Sequence, residues 1–71
     1  MDKQFLIKRI IQYIEQTLNV YNKITFSTEV IIGAFVTVEL FKIYVKYKFK
    51  DYNLTITEDK HISKLTIERW Y

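Results

Sequence analysis

Residues 29 to 50 read Glu-Val-Ile-Ile-Gly-Ala-Phe-Val-Thr-Val-Glu-Leu-Phe-Lys-Ile-Tyr-Val-Lys-Tyr-Lys-Phe-Lys, and the fold turns on how this stretch is divided. It holds no Pro and no cluster of turn residues, yet as one strand it would run roughly 70 Å, several times the usual length. A break is therefore hidden inside it. One division makes a helix of about residues 28 to 42, with Ser27 as N-cap, Glu29 near the positive end of the dipole and Phe26 stapled on Ile31. Ile31, Phe35, Val38, Phe41 and Val45 then share one face. The rival division makes two strands, because Val30, Ile32, Ala34, Val36, Val38 and Leu40 alternate and β-branched residues are poor helix formers. The cap chemistry and the uninterrupted length favour the helix. Beyond it, Ile43, Val45, Tyr47 and Phe49 alternate with Tyr44, Lys46, Lys48 and Lys50, which predicts a strand with one apolar and one basic face.

Working outward toward the N-terminus, residues 23 to 27 alternate as a short strand or extended connection. Before them, residues 3 to 21 place Ile7, Ile10, Ile11, Ile14, Leu18 and Tyr21 on one stripe opposite Lys8, Gln12, Glu15, Gln16 and Asn19. This is an amphipathic helix, with Asp2 suited to cap its start and Asn22 suited to a left-handed stop. Toward the C-terminus, Asp51-Tyr52-Asn53 supplies a turn, Leu54 to Thr57 a returning strand, Glu58 to His61 a second turn and Ile62 to Trp70 a third strand. The expected architecture is α+β in one small domain spanning 1–71. Helices cover one face of a three-stranded antiparallel β meander.

Composition narrows the chemistry. Half of the chain is hydrophobic and 27% is charged, too apolar for a disordered tail. With no Cys, no Pro and a single Gly, it has no disulfide frame, thiolate zinc site, catalytic thiol or glycine-rich phosphate loop. His61 beside Glu58 and Asp59 falls short of the four ligands of a zinc site or a fixed nucleophile–base pair. No catalytic residue, cofactor or metal is expected, and the chain is not expected to be an enzyme. The longest apolar run, Val30 to Val38, is too short for a bilayer, and Asp2 with Lys8-Arg9 does not suit an export signal. A cytoplasmic protein with no membrane partner is expected. A 71-residue domain without disulfide or metal is marginal by itself, which favours a homo-oligomer, most simply a twofold dimer.

The candidate contact residues fall in two groups. Lys42, Lys46, Lys48 and Lys50 with Tyr44, Tyr47 and Tyr52 combine cations for phosphates with rings for bases, so nucleic acid is a possible partner. The same lysines also suit a protected sheet edge. A net charge of +3 is modest for a dedicated nucleic-acid binder. Arg69 and Trp70, followed by Tyr71, are the side-chain types that dominate protein interfaces.

Residues 24 to 50, through Ile24-Thr25-Phe26-Ser27, Glu29-Val30-Ile31-Ile32 and Val38-Glu39-Leu40-Phe41-Lys42, are similar to the C-terminal winged-helix domain of bacterial segregation and condensation kleisins. The resemblance implies a helix from 29 to 42, a β wing from 44 to 57 and docking on an SMC ATPase head. The family carries a further helix before the Glu-rich helix start, whereas here Phe26-Ser27 runs straight into Glu29.

These features lead to two functional expectations. The first is a small protein-binding module, dimeric, that occludes a surface on a larger partner. Heavy use of Ile, Lys, Asn and Tyr fits an AT-rich genome, so a phage or mobile-element inhibitor or modulator of a host replication, transcription or defence protein is expected. The alternative is a winged-helix-like or sheet-based nucleic-acid binder.

Overall fold

The computed structural model describes residues 3–70, so the expected Asp2 cap and the contribution of Tyr71 lie outside the described residues. Helix α1 (Lys3–Tyr21) is followed by strand β1 (Lys23–Ser27), helices α2 (Thr28–Phe35) and α3 (Val38–Lys48), and strands β2 (Asn53–Asp59) and β3 (Lys64–Trp70). This is the expected α+β class.

Helix α1 buries Ile10, Ile14 and Leu18, with Leu6, Ile7 and Ile11 partly covered beside them. Asn22 takes φ 62° as the expected left-handed stop, and its N–H donates to the Leu18 carbonyl at 3.1 Å. Tyr21, expected in the core, is instead exposed, as the last residue of the helix before the chain turns at Asn22.

The sheet order is β1-β3-β2, with β3 antiparallel to both neighbours. Ile24 pairs with Ile67 and Phe26 with Leu65, which turns these apolar side chains toward the helices. The opposite face carries polar rows, including Thr25 beside Thr66 at 3.2 Å between their hydroxyls. The β2–β3 turn is held by Asp59, whose Oδ1 accepts from the His61 N–H at 3.0 Å, and by Ser63 at φ 54°.

The helix expected at about 28 to 42 begins where it should. Ser27 is its N-cap, its Oγ accepting from the Glu29 N–H at 3.3 Å. Two corrections follow. The helix is broken at Val36-Thr37, and the second piece continues through residues 43 to 48, where an alternating strand was expected. One unbroken helix from 28 to 48 would be about 30 Å long and would overrun a sheet whose longest strands span about 23 Å. The break instead brings Ile31, Ala34 and Phe35 of α2 and Phe41 and Val45 of α3 into one core. The five residues Ile31, Phe35, Val38, Phe41 and Val45, expected on one face, do all turn inward or lie half-buried.

The third strand is therefore β1, and the sheet is a β2–β3 hairpin flanked by β1 rather than a meander. The wing implied at 44 to 57 gives way to a hairpin over 53 to 70, because residues 44 to 48 belong to α3. Phe41 anchors the assembly at no exposure, with the rings of Phe35 and Phe26 edge-on at 5.0 and 6.0 Å.

Candidate functional site

Helix α3 is capped by Thr37, whose Oγ1 accepts from the Leu40 N–H at 3.1 Å. Glu39 lies in its first turn and Lys46 and Lys48 in its last, the arrangement that the helix dipole favours. With Phe41, Val45 and the following Phe49 turned into the core, the residues half a turn away must face outward. These are Leu40, Ile43 and Tyr47, exposed by 52, 65 and 73%, and Val36 adds 61% from the preceding turn. The spacing 40, 43, 47 is one continuous apolar stripe. It borders a groove of about 500 Å³ whose floor is Ala34, Phe35 and Tyr44, with Ile7 of α1 as the far wall.

Val36 holds the stripe's N-terminal end in a strained turn. Its φ of 71° and ψ of −50° place it in a γ-turn closed by the Thr37 N–H donating to the Phe35 carbonyl at 2.8 Å. A β-branched residue in this conformation is a true outlier.

The residues singled out from the sequence do not form one surface. Lys42 turns toward β2, its Nζ 3.4 Å from Glu58 and 3.6 Å from Glu39. Lys46 lies beside the apolar stripe, while Lys48 projects on the other flank, where it and Lys8 of α1 line a second groove, and Lys50 follows in the turn beyond the helix. Tyr44 is half-buried against Phe35 at 5.6 Å. Tyr52 packs on Phe49 at 5.2 Å, and its hydroxyl donates to Asn19 at 3.3 Å. Arg69 stacks 4.0 Å over the Tyr52 ring and donates to the same Asn19 Oδ1 at 2.7 Å. That cluster ties the end of α1 to β3 and to the α3–β2 connection. Trp70 stands 56% exposed on the outer sheet face, its Nε1 donating to Thr55 Oγ1 at 2.8 Å.

The two acids near His61 each have a partner. Glu58 is taken by Lys42, and Asp59 by the backbone of its own turn. Among the described residues no three His, Asp or Glu side chains gather around a point, and no helix is long and apolar enough to cross a membrane.

Comparison with protein-family models, curated proteins and solved structures found no match.

Leu40, Ile43 and Val36 were missed as contact residues. The signal that finds Leu40 and Ile43 is helical phase: once Phe41, Val45 and Phe49 are read as i, i+4, i+8 of one buried row, positions 40, 43 and 47 fall on the opposite side, whereas Val36, ahead of the α3 cap, has no such signal. An alternating reading of residues 43 to 50 hides this, because it assigns Ile43 and Tyr47 to the same face as Val45 and Phe49.

Proposed function

We propose that this protein is a non-enzymatic protein-binding module that lays the outward face of α3 on a larger protein and occludes what it covers. The observation that carries this reading is the stripe Val36, Leu40, Ile43 and Tyr47, more than half exposed at each position, beside a groove lined by apolar groups. An apolar centre with an aromatic side chain and a charged margin is the composition of a protein interface core and rim. Margin charges come from Glu39 and Lys46. An inhibitor or modulator of a host replication, transcription or defence protein fits such a surface.

A second reading is favoured by one observation. The order α1-β1-α2-α3-β2-β3 with sheet order β1-β3-β2 is that of a winged helix, in which α3 would enter the DNA major groove and the β2–β3 hairpin would be the wing. A helix that reads bases presents donors and cations. Here the outward centre of α3 is Leu40 and Ile43, which supports a winged helix turned to protein contact.

The test is a tagged pull-down, run with and without nuclease at two salt concentrations. One protein retained near stoichiometrically through nuclease and salt, and lost by Leu40→Glu/Ile43→Asp with an unchanged circular dichroism spectrum, is the expected result. Nucleic acid in the eluate, with every protein lost after nuclease, would replace this reading with the second.

A further inference from the structure

The outward face of α3 is complementary to itself. An isologous contact requires that each feature of a surface meet its counterpart after a twofold rotation. In an antiparallel pair of α3 helices with the axis near Ile43, Ile43 meets Ile43 of the other copy, and Leu40 lies across from Tyr47. Glu39 and Lys46 sit on the same flank of the stripe, four residues before Ile43 and three after it. Antiparallel rotation preserves the flank and reverses the direction, so Glu39 of each copy comes opposite Lys46 of the other. Two ion pairs close one margin of the apolar contact. Antiparallel packing also sets the positive dipole end of each helix beside the negative end of the other. A parallel pairing exchanges the flanks, so Glu39 and Lys46 of the two copies would lie at opposite margins and form no ion pair.

We infer that the free protein is a twofold homodimer through α3, and that this contact covers the docking face until a larger partner displaces the second copy. The inference rests on the reading of α3 as a protein-contact surface and names its occupant in the free state. Spacing supports it: 40, 43, 47 is the seam spacing of packed helix pairs. So does size, since a domain of 71 residues without disulfide or metal gains most from burying such a stripe. Glu39 also lies 3.6 Å from Lys42, but Lys42 has Glu58 on its other side at 3.4 Å, so Glu39 can turn to a second cation without leaving Lys42 unpaired.

The experiment is sedimentation equilibrium of the full chain across a concentration series, for the wild type and four further samples. The wild type is expected at twice the chain mass, and Ile43→Asp at the chain mass with an unchanged circular dichroism spectrum, because Ile43 is 65% exposed and outside the core. Glu39→Lys alone and Lys46→Glu alone each set like charges opposite one another and weaken the dimer about tenfold. An equimolar mixture of these two variants restores both ion pairs in a heterodimer and recovers wild-type affinity within a few-fold. A wild type that stays monomeric overturns the dimer, as does a dimer that survives Ile43→Asp or ignores the charge swaps and their mixture. Retention of the larger partner by Ile43→Asp in the pull-down would instead count against the docking reading, so the two failures are distinct.

Discussion

At the scale of single residues, Val36 and Gly33 occupy each other's natural places. Val36 holds φ 71° with a branched side chain, while Gly33 lies in the middle of α2 with ordinary helical backbone. A sparsely populated conformation of this kind costs about 1–3 kcal/mol, and glycine removes the clash at a backbone-entropy cost of about 0.5–1 kcal/mol. Since Val36 is 61% exposed, little burial is lost with its side chain. Val36→Gly is therefore expected to stabilise the domain by about 1 kcal/mol, raising the melting temperature by about 4–8 °C. Val36→Ala keeps a Cβ in the same conformation and gains nothing comparable. A Cβ at Gly33 would meet no atom within 4 Å, so Gly33→Ala should add about 1 kcal/mol through helix propensity alone. Thermal melts of the three variants check all of this, and a destabilised Val36→Gly would mean that the turn is not strained. Strain at Val36 explains why the break was illegible: nothing in the types Phe-Val-Thr-Val announces a turn that this sequence enters only under tertiary constraint.

At the scale of elements, legibility followed caps and long periodic runs. Helix α1 and the start of α2 were readable because nineteen residues hold one amphipathic phase and Ser27 sits before Glu29. The β2–β3 hairpin was readable to within two residues through its turn chemistry. Residues 43 to 50 were not, because Ile43, Val45, Tyr47 and Phe49 satisfy a period of two while Phe41, Val45 and Phe49 satisfy a helical row. The deciding group is Thr37, whose hydroxyl caps α3. Its role has a sign that can be measured. If Thr37 caps a separate helix, Thr37→Ala leaves the Leu40 N–H without its acceptor and lowers stability by about 1 kcal/mol. Were residues 28 to 48 one helix, the same change would replace a poor helix former by the best one and raise stability by a few tenths of a kcal/mol. Urea denaturation separates the outcomes, and a loss is expected. The contact residues follow their elements: Tyr44, Lys46 and Lys48 share a face only on a strand, so the helix scatters them and brings Leu40 and Ile43 forward instead.

For the whole molecule, the question is whether a net charge of +3 is gathered or dispersed, because only a gathered charge reads as a nucleic-acid surface. Lys42 is engaged with Glu39 and Glu58, and Arg69 is stacked on Tyr52 and bonded to Asn19. Of the cations on and just after α3, Lys46 occupies one flank and Lys48 the other, across the apolar stripe, with Lys50 in the turn beyond. One duplex lying against either flank can then meet only about two of these lysines at once. Each phosphate neutralised contributes a slope of about −0.9 in log K against log salt, so about two contacts give a slope near −2. Between 50 and 200 mM salt, duplex affinity should fall only about tenfold, against the thousandfold or more of a protein that makes six to ten contacts. Fluorescence anisotropy with a labelled duplex measures the slope directly. Lys46→Ala/Lys48→Ala removes one cation from each flank, and should flatten the slope by no more than about one unit, since no single pose uses both. A steep slope that this double variant cuts by two would mean that both lysines meet phosphate together, and would favour the winged-helix DNA reading over docking on protein.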